Sequence, residues 1–460
     1  MGGLNTSLLV AMQALDATQG ALDATSNNIA NANTPGYTRE VPQFTENAET
    51  VSGSDVSGGG VNLEGLQSVR DELLNLQIQE QTSSQSSVNV QSSTLQQLQS
   101  YFSSSSGADI SSELAAFSSS LSQLSADPTS AALQQGVLSS GQDLTNAFNT
   151  TADALTSAQS YADGQVTQTV SQINTLTQQI AQLNGQLAQT STTVNNGGTL
   201  EDQRDELVQQ LSALTGISIT QSDGGETITT GNGTPLVMGS QSYSLQTTTG
   251  ADGQAHVLDS NGTDITASIQ GGTLGGAIEV RDQTIPSMLT QLNTLASQFA
   301  TAFNSAQAKG FDSNGNAGTN FFSEPGNPAN AASGITVAIT NPALVAISSD
   351  GSAGSNGNIT NLSNAVTGTL SSGATPANAY ANLVFQVGTA ASNASAQSTA
   401  IGLNLQQLTD QQGSVSAVST DEEAANLIRY QTAYEAAARV VSTIQQLSTV
   451  TLDMGTTGGY

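Results

Sequence analysis

Four carboxylates crowd into residues 201–206, at Glu201, Asp202, Asp205 and Glu206. Paired carboxylates suit general acid–base chemistry, including glycoside cleavage, when one holds a proton and the other stays ionised. Here they fall in the opening turns of an expected helix, where acids simply complement the helix dipole. His256 is the single histidine and there is no cysteine, so nothing stands ready to complete a zinc site or a thiolate dyad. Asp312, Asn314 and Asn316 repeat the alternating oxygen spacing of a calcium loop. Ala317 then stands where that loop needs glycine and Ser323 where it needs its closing glutamate, so a plain turn is expected. The one lysine, Lys309, belongs to no phosphate-cradling GxxxxGK. A sugar hydrolase would also want aromatic platforms, yet the chain has no Trp and only 4% aromatics. No catalytic residue, metal ligand or cofactor is expected.

The elements that would position these groups are read from a chain of unusual composition. Charged residues make up 9% of it, so folding must rest on apolar faces and not on ion pairs. Seven basic against 36 acidic residues give a formal net charge of -29. The cations never cluster, which argues against nucleic acid or an anionic membrane as partner. At 460 residues several compact units are expected. The opening residues carry no basic stretch, and the apolar run Leu8 to Met12 is too short for a signal segment or a membrane span.

Leu8, Leu15, Leu22 and Ile29 recur every seven residues, with Leu4, Ala11, Thr18 and Thr25 as a weaker companion row. So narrow a seam predicts a helix that pairs with a few other helices, either in its own chain or in a neighbour. The turn Asn31 to Gly36 ends it. Irregular chain is expected from Arg39 to Val61, then helical spacing from Leu66, Val69, Leu73 and Leu76 onward to about Gln189. Ile110, Leu114, Phe117, Leu121 and Leu124 form one amphipathic face, and Val166, Val170, Ile173, Leu176, Ile180, Leu183 and Leu187 another. After the Asn195-Asn196-Gly197-Gly198 break, Thr199 is placed to cap a helix ending near Gly216.

From Ile217 the pattern turns to short β-rich runs split by Gly224-Gly225, Asn232-Gly233, Asp252-Gly253 and Asn261-Gly262. Helical spacing resumes at Ile285, Leu289, Leu292, Leu295, Phe299 and Phe303, followed by a short strand Ile335 to Ile339 and a helix from Pro376. Thr420 and Glu423 read as a capping box. Behind them Leu427, Tyr430, Tyr434, Ala437, Val441 and Ile444 make a second seam. The fold expected is mainly α: a long helical rod whose N- and C-terminal regions pair as a coiled coil, with a small inserted β domain. Residues 1–45 with 420–460 make the terminal assembly domain, 46–216 with 281–419 a helix-rich rod, and 217–280 the β insertion.

The segment Ser26 to Arg39, with Asn27, Asn28, Asn31, Asn33, Pro35, Gly36 and Tyr37, resembles the N-terminal signature of flagellar rod, hook and hook-associated proteins. Asp202 to Val208 and Gly275 to Gln283 are similar to internal motifs of the hook-associated members, as are Phe311 to Gly315 and Asp421 to Leu427. Ala417 to Thr420 departs from the family pattern before the acidic triplet.

The resemblance implies a structural, non-enzymatic subunit at the hook–filament junction, which leaves the cell unfolded through the flagellar type III export channel. It implies an export chaperone on the C-terminal region, a ring of copies, and contacts with the hook protein and with a second junction protein. It further implies that both seams become helical on docking. A hook or rod subunit is the nearest alternative, and a secreted adhesin or coat protein a more distant one.

Overall fold

The computed structural model describes residues 2–34, 36–52, 55–102, 109–190, 197–222, 225–323 and 327–457. Pro35, Asn195, Asn196 and Gly224 lie outside the described residues. The chain opens with α1 (Gly2–Asn31) and then β1 (Glu40–Glu46), β2 (Thr50–Ser52), β3 (Asp55–Ser57) and β4 (Val61–Ser68). Long helices follow: α2 (Glu72–Phe102), α3 (Ile110–Ala126), α4 (Ala131–Thr190) and α5 (Gly197–Leu214).

The β insertion holds β5 (Ile217–Ser222), β6 (Gly225–Thr230), β7 (Pro235–Met238), β8 (Gln241–Ser242), β9 (Gln246–Thr249) and β10 (Ala255–Leu258). The first four form an antiparallel meander and the last two a separate hairpin. Then come α6 (Gly272–Glu279), a π-helical turn Val280–Thr284, α7 (Ile285–Gln307), α8 (Ala331–Gly334), α9 (Ile359–Thr367), α10 (Pro376–Ser416) and α11 (Thr420–Thr457).

The mainly helical expectation holds, and the long helices bury the faces that periodicity marks. Ile110, Leu114, Phe117, Leu121 and Leu124 are all buried along α3. Two apolar cores result. One gathers α2, α3, the first half of α4, α7, α9 and α10 around Phe117, Phe299, Phe303, Phe321 and Phe322, whose rings stand 4.8 to 6.4 Å apart in tilted and edge contacts. The other joins the second half of α4 with α5, α6 and the β insertion.

Several boundaries differ from the sequence reading. The stretch from Arg39 to Val61 is not irregular: β1 pairs antiparallel with β4, and Leu66 belongs to that strand, so α2 starts only at Glu72. Side chains alternate between half-buried and exposed along most of Val61 to Ser68, as a strand requires, and the helical spacing of Leu66 with Val69 and Leu73 is fortuitous. Thr199 lies inside α5, past its first residue Gly197. Ile335 to Ile339 makes a single bridge, Phe322 to Val337, and no strand. The last part of 217–280 is α6, which packs against α2. Gly276 makes that packing possible, because a Cβ there would stand 2.5 Å from the Ser87 carbonyl oxygen.

Candidate assembly site

The terminal helices α1 and α11 pack on each other, and neither contributes a residue to either apolar core. Arg39, just beyond the end of α1, meets the first turn of α11, so the two helices run antiparallel. The β1–β4 hairpin lies along a second side of α1.

Squeezed between two neighbours, α1 buries small residues at its centre: Ala11, Ala17, Ala21 and Ala24 are all buried. The leucine row runs beside this centre. Leu8, Leu15 and Leu22 are half-buried on the flank, and Ile29 remains 37% exposed. Only alanine-sized side chains let three elements approach so closely. On α11, Ile444 is buried; Leu427, Tyr430, Ala437 and Val441 are half-buried, and Tyr434 is 37% exposed. Leu9, Met12, Ile428, Val440, Leu447 and Val450 stand open on the outer faces of the pair. A two-helix layer with that much uncovered apolar surface is suited to burial against further helices.

Beneath the helices sits a polar clasp. The buried Asn28 amide donates to the Glu40 carbonyl at 2.8 Å, and its Oδ1 accepts from the Glu40 N–H at 3.0 Å and the Tyr37 hydroxyl at 2.8 Å. Only a side-chain amide offers donor and acceptor together in this way. It folds the signature segment back against α1, with Gly36 taking the left-handed φ of 78° that the turn needs. Asn31 closes onto Asn27 at 2.7 Å and accepts from Thr34 at 3.2 Å, whereas Asn33 is exposed in the turn.

From this turn the chain reaches two distant segments. The Thr38 N–H donates to Asp202 Oδ2 at 3.0 Å. The Arg39 N–H donates to the Ser416 carbonyl at 3.0 Å, while its guanidinium holds Glu423 at 2.8 Å and Glu422 at 2.9 Å. Ser419 caps α11, not Thr420, since its hydroxyl accepts the Glu422 N–H at 3.4 Å. With Ser419 as the cap, Glu423 stands one position past the box and pairs with Arg39 instead.

The carboxylates of α5 do more than complement a dipole. Arg70, following β4, bonds Asp202 and Asp205 at 2.7 Å each and Glu201 at 3.4 Å, and Arg204 bridges Glu226 at 2.9 Å. Burial holds the Asp202 and Glu40 carboxyls above their ordinary values, with Asp202 adding to the rise at Glu40. Burial and the Glu40 charge likewise push the Tyr37 hydroxyl up. These contacts fasten α5 to the end of β4, to the signature turn and to β6. The signal that could have found them is scarcity: in a chain so acidic, each of the few arginines is a candidate clamp.

The other polar candidates are engaged in contacts of their own. His256 lies between Asp264 at 2.6 Å and Asp252 at 3.3 Å, linking two turns of the β insertion. Asp312 spends a carboxylate oxygen on the Asn314 and Asn316 N–H groups at 2.8 Å, closing its own turn. Arg281, buried within the π turn, holds Asp163 of α4 at 2.7 Å and the Ala255 carbonyl of β10 at 2.6 Å. It thereby ties the β insertion to α4. Among the described residues no group of three or more acidic, His or Cys side chains could hold a metal, and no helix is long and apolar enough to cross a membrane.

Three family models match the chain. A flagellar hook-associated protein FlgK helical domain covers residues 95–322, a flagella basal body rod protein model 8–38, and a flagellar basal body rod FlgEFG protein C-terminal model 411–454. Flagellar hook-associated protein 1 of Bacillus subtilis is 31% identical over 493 residues, covering 96% of each chain. Its Escherichia coli counterpart is 32% identical over 323 residues, 68% of this chain and 59% of that one. The solved structure of the flagellar hook junction protein FlgK from Burkholderia pseudomallei superposes with a TM-score of 0.66 at 19% identity, over 74% of this chain and all of that one.

Proposed function

The chain belongs to the flagellar hook-associated protein 1 family, whose members are structural proteins of the bacterial flagellum, and from that membership we propose that it forms the junction between hook and filament. Copies stand side by side in a ring, with hook protein on one side and a second junction protein on the other. The chain is secreted unfolded through the flagellar type III channel, and an export chaperone shields the apolar seam of α11 beforehand. The role is non-catalytic.

The observation that carries this reading is the α1–α11 layer, set apart from both cores, latched by Arg39 to Glu423 and open along its outer faces. The rod-type models match at these termini and are shared ground for axial subunits; the helical-domain match over 95–322 favours a hook-associated protein over a rod or hook subunit. Deletion of the gene tests the proposal. Cells should carry hooks without stable filaments and shed flagellin into the medium; normal filaments would refute it.

A further inference from the structure

Most of this chain's scarce positive charge is already committed. Arg39, Arg70, Arg204 and Arg281 all sit in ion pairs within the body. Two of the other three cations, Arg429 and Arg439, lie exposed on α11 with no carboxylate partner among the described residues. Arg429 stacks on its neighbour Tyr430, 4.8 Å from the ring centroid. Arg439 takes no ion pair even though Glu435 stands one turn earlier. On α1, Asp16 and Asp23 are likewise exposed without an ion pair among the described residues. They share the helix face opposite the buried alanine row, next to the exposed Leu9 and Met12.

Heights along the pair can be read from the packing. Phe44 stands 6.4 Å from Tyr430 and pairs across the hairpin with Leu63, which lies over Gly20. Tyr430 therefore sits near the level of Gly20, and because the helices are antiparallel Arg429 sits near Asp23. Asp16 and Asp23 are separated by about 10 Å along α1, and Arg429 and Arg439 by about 15 Å along α11. The difference is within the reach of an arginine side chain.

Within one chain neither aspartate pairs with either arginine among the described residues. We propose that they take them from a second copy: Asp23 and Asp16 on α1 of one subunit receive Arg429 and Arg439 on α11 of the next. A sideways displacement at equal height brings the two open faces together, with Leu9 and Met12 meeting Val440 and Leu447. The contact is heterologous, since each copy offers α1 on one side and α11 on the other, and such contacts propagate into a ring or helix. The charges set which faces meet and at what height, while the apolar residues supply the burial. The inference rests on the ring-forming reading above and names its register.

The test uses full-length chains in a deletion strain. Asp16→Arg with Asp23→Arg, and separately Arg429→Asp with Arg439→Asp, should each be exported and keep the melting temperature of the unaltered subunit, yet be recovered with hook–basal bodies at least about tenfold less. All four substitutions in one chain should restore recovery to within a few-fold. Either reversal assembling like the unaltered chain, or a swap as defective as the reversals, would overturn the register. The junction role would survive that result, since it stands or falls on the deletion itself.

Because the chain has no cysteine, a second measurement is available whatever the charge variants do to export or folding. Asp23→Cys and Arg429→Cys chains, which the register places at nearly equal height, should when expressed together be joined into a dimer by a short bismaleimide within isolated flagella. Absence of that dimer from isolated flagella carrying both chains would also overturn the register.

Discussion

Arg39 holds Glu423 at 2.8 Å across 384 residues of chain, the contact that locks the end of α1 to the start of α11. The Glu423 side chain is 3% exposed and that of Arg39 23%, so the pair is largely but not wholly removed from water. Arg39→Gln leaves a buried carboxylate without its cation. The terminal layer should lose about 2 kcal/mol, somewhat less than the ~3–5 kcal/mol of a fully buried pair. Glu422 meets the same arginine from a side chain 61% exposed. Glu422→Gln should therefore cost well under about 1 kcal/mol. Amide exchange along α11 distinguishes the two, and equal effects would refute the ranking.

Glu40 provides a pH test. Burial first, and then the Asp202 charge, raises its carboxyl above 4.5. An acid whose folded value lies above its unfolded one binds more protons in the native state between those two values. Stability then falls as pH rises through that window, which begins near 4.5. Glu40→Gln should flatten this fall and leave the protein more stable on its alkaline side. Urea midpoints taken in steps from about pH 4 to pH 7 check it; an unaltered slope would reject the assignment.

His256 is the only histidine, so a single imidazole resonance reports on it. Hydrogen bonds donated to Asp264 and then to Asp252 raise it above 6.5, while Thr266 and His256 together hold Asp264 down at about 2. The stabilisation from protonated His256 is complete below 6.5 and disappears as pH rises through the folded value. NMR titration should place its midpoint above 6.5, and Asp264→Asn should bring it down toward that figure. A midpoint unmoved by Asp264→Asn would mean that the bridge does not hold the proton.

Gly276 belongs to the internal motif Gly275 to Gln283, and its place in the fold explains why glycine stands there. A Cβ would come to 2.5 Å from the Ser87 carbonyl oxygen and 2.9 Å from its Cα, and backbone of α2 cannot swing aside as a side chain would. Gly276→Ala should cost about 1–3 kcal/mol by forcing α6 off α2. Chemical denaturation measures it. A neutral result would show that the two helices slide without penalty.

What the sequence made legible was periodic. Ile110 to Leu124, Ile285 to Phe303 and the turn dipeptides of the β insertion announced their elements because spacing alone decides which face is buried. The clasp was hidden because its members, Asn28, Arg39, Arg70, Asp202 and Glu423, are brought together by tertiary pairing and share no local pattern. The alanine row was hidden for a different reason. Hydrophobic spacing weights leucines, but where a helix is packed on two sides the centre admits only small residues, and Leu15 and Leu22 are displaced to its flank.

That displacement sets the outcome of replacing both Leu15 and Leu22 with Asp. Each leucine is half-buried, so each aspartate keeps partial access to water and costs the α1–α11 layer about 1–2 kcal/mol, less than an uncompensated core charge would. Neither helix feeds the two apolar cores, and the phenylalanine cluster lies wholly outside the layer. Calorimetry should therefore find the main transition of the body within a degree or two of its unaltered value. Amide exchange over residues 8–31 and 423–450 should accelerate by at least about tenfold, since local opening carries the whole cost. In the proposed ring assembly should fail, because the flank that the leucines occupy would have to take two further charges into its packing in every copy. A fall of many degrees in the main transition would instead make the layer part of the same cooperative unit as the rod, and the separation of assembly from folding would be lost.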